Sequence, residues 1–72
     1  MIRTVKLLLD LLSNIRDIDI IEIFRAGELI YCSEKEENKC SYNDCLRMKV
    51  VDFYGHYDSK NYGDKYVLSF DV

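Results

Sequence analysis

Residues 18–32 read IDIIEIFRAGELIYC, and this stretch decides the fold. Its first part, IDIIEIFR over residues 18–25, is rich in β-branched side chains, which suit a pleated strand. Ala26 and Gly27 interrupt the run, and glycine readily takes the positive φ that a tight turn demands. The apolar pattern then resumes as ELIYC over residues 28–32, so the whole predicts a β-hairpin. Alternation with period two puts Ile21, Ile23, Leu29 and Tyr31 on one face and Ile20, Phe24, Ile30 and Cys32 on the other. Apolar residues on both faces predict a central or doubly covered strand.

Upstream, Val5, Leu8, Leu9, Leu12 and Ile15 follow helical spacing, with Lys6, Asp10 and Ser13 opposite. This predicts an amphipathic helix over residues 4–15, with Thr4 as its cap. Leu7 and Leu11 widen the apolar stripe, which implies a helix laid broadly on a sheet or a flank that meets a second subunit. Downstream, Ser41 precedes YNDCLRM with Asp44 at the third position, an arrangement close to a capping box. A short helix over residues 42–48 follows from it. Residues 48–57 and 66–72 predict a second hairpin around the polar loop DSKNYGDK. Its last strand sorts Tyr66, Leu68, Phe70 and Val72 from Val67, Ser69 and Asp71. In the strand before it, Val51 and Phe53 form the natural core pair. The order is α-β-β-α-β-β: an α+β two-layer domain over residues 1–72, with a four-stranded, mainly antiparallel sheet and the helices on one face.

A chain of 72 residues holds one domain, and such a domain buries only about 60% of its unfolded surface. The formal net charge of −3, without a basic stripe, argues against gripping a phosphate backbone, so no direct nucleic-acid partner is expected. Cys32, Cys40 and Cys45 are odd in number and contain no CxxC pair, which predicts free thiols in a reducing cytoplasm. With His56 they supply the residue types of a Cys3His zinc site, but the irregular spacing favours ordinary buried thiols. No metal and no cofactor are expected. Leu7-Leu8-Leu9 is cut by Asp10, far short of a membrane span.

Chemistry-bearing residues gather in the tail, where Tyr54, His56, Tyr57, Tyr62 and Tyr66 surround the second hairpin. His56 beside Asp52 or Asp58 has the makings of a base and its orienting carboxylate. Yet Asp52, Tyr54 and His56 alternate along one strand and define no pocket, and no cysteine stands in a nucleophile's context. Isolated glycines exclude a phosphate-cradling loop. An enzyme is therefore not expected. Tyrosine combines a large apolar ring with a polar tip and is enriched at interfaces. Tyr54, His56, Tyr57 and Tyr62, with Asp52 and Asp58, are thus the candidate partner-binding residues. The bland alternative is that the rings cover the rim of the core.

A Leu-rich opening helix (TVKLLLDLLSNI), an IEIF–turn–GELIY hairpin and a closing KYVLSFDV strand resemble small accessory proteins of phages and mobile elements of low-GC bacteria. The likeness spans most of the chain, lies in hydrophobic patterning, and transfers no individual residue role. It implies a non-enzymatic protein in the bacterial host cytoplasm that binds and inhibits a bacterial protein. An anti-CRISPR-like or other anti-defence role against a defence nuclease, such as a CRISPR effector, is the implied class. The alternative it carries is a homo-oligomeric sponge for a small molecule or signalling nucleotide. A bland structural subunit is a further alternative, a homodimer whose seam is the surplus of apolar residues on the first helix.

Overall fold

The hairpin expected from residues 18–32 is present as β1 (Ile20–Arg25) and β2 (Glu28–Cys32) in the computed structural model, which describes residues 3–72. Ala26 and Gly27 make its turn with φ of 51° and 78°. Positive φ at both central positions matches the right-handed twist of the flanking strands, though a Cβ at the first position is strained. Within the hairpin, Ile23 faces Tyr31 while Phe24 already faces Leu29, so Ile30 is an extra residue in β2. This bulge corrects the simple alternation: Ile30 joins Tyr31 on the side of Ile23, and Leu29 moves to the side of Ile20.

The elements around it follow the expected order: α1 (Val5–Ser13) precedes β1, and α2 (Tyr42–Leu46), β3 (Asp52–Asp58) and β4 (Lys65–Asp71) follow β2. Thr4 caps α1, its hydroxyl accepting the Leu7 N–H at 3.3 Å. Ser41 caps α2 in the same way, accepting the Asp44 N–H at 3.2 Å. Helix α1 ends at Ser13, so Ile15 lies outside the helical stripe and is exposed, as are Leu7 and Leu11. Residues 3–5 run beside residues 48–50, where Val50 N–H bonds Arg3 C=O and Val5 N–H bonds Met48 C=O.

The four strands lie in the order β2-β1-β4-β3. Both outer pairs are antiparallel, as expected, but β1 and β4 run parallel, which makes the sheet mixed. One cluster packs Val5, Leu8 and Leu9 of α1 and Cys45 of α2 against Ile23, Ile30, Leu68 and Phe70. Across the sheet, Ile20, Cys32 and Val67 form a smaller cluster with Leu29 and Tyr62. The doubly apolar β1 and β4 are thus the two central strands. Alternation in β4 is as expected, with Leu68 and Phe70 in the first cluster and Val67 in the second.

The entry into β3 departs from expectation. Val51 is 75% exposed and Val50 is buried, the reverse of the expected pairing of Val51 with Phe53. Asp71 explains it: its C=O accepts the Val51 N–H while Asp52 already stands opposite Asp71. Two residues oppose one, so Val50 and Phe53 both turn to the first cluster with Val51 and Asp52 between them.

Candidate binding edge on the C-terminal hairpin

Strand β3 distributes the candidate residues over two faces of the sheet. Asp52, Tyr54, His56 and Asp58 stand opposite Asp71, Ser69, Val67 and Lys65, on the Val67 face. Phe53, Gly55 and Tyr57 stand opposite Phe70, Leu68 and Tyr66, on the Phe70 face. Tyr54 and His56 stack with ring centroids 5.6 Å apart, and Tyr54 remains 53% exposed. His56 Nε2 lies 3.9 Å from Asp58 Oδ2, while its Nδ1 is buried without a hydrogen-bond partner. Asp58 also closes the hairpin loop, accepting the Lys60 and Asn61 N–H groups at 3.0 and 2.9 Å. The Asn61 N–H is the main reason its carboxyl lies below the usual carboxylate range, and His56 adds to the effect.

Tyr57 looks the other way. It is 65% exposed on the Phe70 face, where its ring meets Tyr66 edge-on at 5.3 Å. Arg16, from the segment between α1 and β1, lies 3.6 Å above the Tyr66 ring and donates to Tyr57 Oη. Gly55 makes room for this stack, because a Cβ there would fall 1.8 Å from Tyr66 Oη. Glycine in a strand interior is otherwise a weakness, and close approach of a ring accounts for it.

Tyr62, expected among the rings open to a partner, is partly buried. The loop after β3 folds back over the Val67 face and packs the Tyr62 ring against Ile20, Cys32 and Val67. Its hydroxyl donates to Glu22 Oε2 at 2.9 Å and lies 3.5 Å from Cys32 Sγ. Ser69 Oγ donates to the other Glu22 oxygen at 3.1 Å, so the carboxylate in the centre of β1 holds two donors. The Cys32 thiol and burial, followed by Glu22, push the Tyr62 phenol well above its ordinary range. Glu22 and Arg16 were not among the candidates. Glu22 carried a signal, being an acid inside an apolar run, whereas nothing local marked Arg16.

The two edges of the sheet differ. On β2 the outer edge is covered: Ile30 C=O accepts the Lys39 and Cys40 N–H groups, and Cys32 N–H bonds Asn38 Oδ1 at 2.8 Å. On β3 the outer edge is open. Tyr66 turns its N–H and C=O to Asp19, so by alternation Val67, Ser69 and Asp71 face β3. Their partners His56, Tyr54 and Asp52 therefore point inward, and Phe53, Gly55 and Tyr57 point their backbone groups outward. Phe53 N–H is taken by Asp52 Oδ1 at 2.8 Å. Among the described residues, no backbone or side chain bonds the outward groups of Gly55 and Tyr57.

Other constellations are dispersed. Cys32 packs in the cluster of Val67 and Cys45 in that of Phe70, and among the described residues no three His, Cys, Asp or Glu side chains converge to hold a metal. Burial and the neighbouring Cys40 push the Cys45 thiol up to about 12. An open groove of about 590 Å³ lies between the end of α1, residues 16–19 and Tyr42. Asp10, Asp17 and Asp19 line it against Arg16, a balance that repels a phosphate. Among the described residues no helix is long and apolar enough to cross a membrane. Comparison of the chain with protein-family models finds no match, and comparisons with curated proteins and with solved structures find none either.

Proposed function

We propose that this chain is a non-enzymatic binding protein that engages and inhibits a bacterial protein through the open β3 edge of its C-terminal hairpin. The observation that carries the reading is the exposure of Tyr54 and Tyr57 on opposite faces of the one uncovered edge strand among the described residues. Two large rings flanking a free edge supply apolar area on both sides of any contact made there. The reading takes the domain as two-layered, with both helices on the Phe70 side of the sheet. A bacterial defence nuclease is the target class that the resemblance of the sequence implies. The sponge alternative gains nothing from the α1 groove, whose three carboxylates disfavour an anionic nucleotide.

The test is affinity capture from bacterial lysate with the tagged protein, identified by mass spectrometry. Tyr54→Ala and Tyr57→Ala should each release the captured protein, with Tyr54→Ala lowering stability by less than about 1 kcal/mol, as expected of a half-exposed ring. Retention of the partner by both variants would sink the proposal. So would a collapse of stability in Tyr54→Ala, because the ring would then be a core residue.

A further inference from the structure

The partner's chemistry can be read from the edge itself, on the premise that β3 is the binding edge. Open strand edges invite another strand, and proteins normally blunt them with lysine, proline, bulges or a covering segment. Strand β3 carries neither lysine nor proline, and its bulge lies at its start, leaving residues 53–57 regular. What it carries is acid at both ends, Asp52 and Asp58, six residues apart on the Val67 face. Asp52 also stands directly opposite Asp71, a like-charge pair that costs stability when uncompensated. Among the described residues no lysine or arginine forms a salt bridge with Asp52, Asp58 or Asp71.

We infer that β3 receives an extended basic segment of its partner as a fifth strand. The outward groups of Gly55 and Tyr57, with the Phe53 C=O, set the register, since strand addition draws its affinity from main-chain hydrogen bonds. Residues opposite Asp52, Tyr54, His56 and Asp58 then form the non-hydrogen-bonded pairs, in which side chains approach most closely. A cation opposite Asp52 also answers Asp71, and a second cation six residues away adds to Lys65 and the loop N–H groups around Asp58. Between them, alternate apolar side chains lie against Tyr54 and His56. The recognised pattern is therefore basic-x-apolar-x-apolar-x-basic.

A second copy of this chain fits the same edge poorly. Antiparallel pairing of two β3 strands about Gly55 sets Asp52 of one chain opposite Asp58 of the other, at both ends of the contact. Like charges directly opposite are destabilising, so the acids that invite a basic strand also reject a second copy.

The probe is a blocked peptide, Lys-Thr-Val-Thr-Val-Thr-Lys, titrated into the full chain and followed by amide NMR and hydrogen exchange. Shifts and new protection are expected at Gly55 and Tyr57. Methylating the three threonine amides, or replacing both lysines by glutamate, should weaken binding at least about tenfold, since the first removes the ladder and the second its charge complement. Asp52→Asn should abolish the preference for lysine over glutamine at the peptide end it faces while leaving the free fold intact. Freely exchanging Gly55 and Tyr57 amides at saturating peptide would overturn the inference. Equal binding of the methylated peptide, or a self-associated protein with those amides already protected, would overturn it too. The two proposals fail separately: a captured partner that needs Tyr54 and Tyr57 yet leaves those amides exchanging refutes strand addition alone. Peptide binding at the edge without any captured protein refutes only the inhibitor reading.

Discussion

Replacing Gly55 by Ala puts a methyl group where the Tyr66 ring lies. The added Cβ would sit 1.8 Å from Tyr66 Oη, 2.5 Å from Cζ and 2.9 Å from Cε2, so the ring must leave. That ring is anchored, with Arg16 stacked on it at 3.6 Å and Tyr57 against it at 5.3 Å. Losing an exposed cation–π contact costs about 0.5–1 kcal/mol, and losing an edge-to-face pair costs about 0.5–1.5 kcal/mol. Alanine in place of glycine in a strand returns about 0.5–1 kcal/mol. The balance is a net loss of about 1 kcal/mol, or roughly 4–8 °C in Tm for a domain of this size. In a Tyr66→Ala background the clash is gone and Gly55→Ala should stabilise by about 0.5–1 kcal/mol. Urea unfolding of the four proteins, followed by far-UV circular dichroism, reads this change of sign directly. Gly55→Ala that is neutral or stabilising with Tyr66 in place would refute the reasoning, since the ring would then be free to swing aside.

At the first hairpin, Ala26 holds φ of 51°, so Ala26→Asn should stabilise by about 0.5–1 kcal/mol, seen as a higher urea midpoint with unchanged slope. Tyr62→Phe removes the hydroxyl bonded to Glu22 and should cost about 1.5–3 kcal/mol, as for a hydrogen bond to a charged group. Its phenol titrates higher folded than unfolded, so this stability is complete below the ordinary tyrosine range and fades above it. The gap between wild type and Tyr62→Phe should accordingly narrow in unfolding curves taken at pH rising past 10.0. Asp58 has the opposite sign: its lowered carboxyl stabilises the fold above pH 3.8 and loses that contribution as pH falls through the folded value, so Asp58→Ala and wild type should converge in acid. With Ellman's reagent at pH 8, Cys40 should react first, because Cys32 and Cys45 are fully buried and the Cys45 thiol is pushed up to about 12. Mass mapping of the labelled peptides checks the order.

Local rules carried the reading of this chain a long way. A β-branched run, two small turn residues and a second apolar run are contiguous, so IDIIEIFRAGELIYC disclosed its hairpin. Thr4 and Ser41 announced their helices because a cap acts within three residues. What escaped depends on one-residue shifts or on distant pairs. The bulges at Ile30 and Val51 each move neighbouring side chains to the other face, and no local signal fixes where an extra residue is absorbed. The parallel pairing of β1 with β4 joins residues far apart in sequence. The same separation hid Tyr62, whose hydroxyl finds Glu22 forty positions away, and Arg16, which finds Tyr57. The tyrosine-rich tail was therefore legible as a feature but not in its layout, because sequence proximity put on one patch what the sheet divides between two faces, with Tyr62 partly buried over one of them.

Asn38, Lys39 and Cys40, strapped along β2, govern how many contacts of this kind one chain can make. A sheet open at both sides can be copied indefinitely, each subunit offering a fresh site to the next, which is the route to filaments. Here one side is occupied by the chain's own Lys39 and Cys40 N–H groups and the Asn38 side chain. Under the proposed strand addition, β3 would consume the other, and growth would stop after a single step. A chain that binds in this proposed way would be a terminator with a valence of one. Raising its concentration would then populate discrete complexes of fixed stoichiometry without nucleating a polymer.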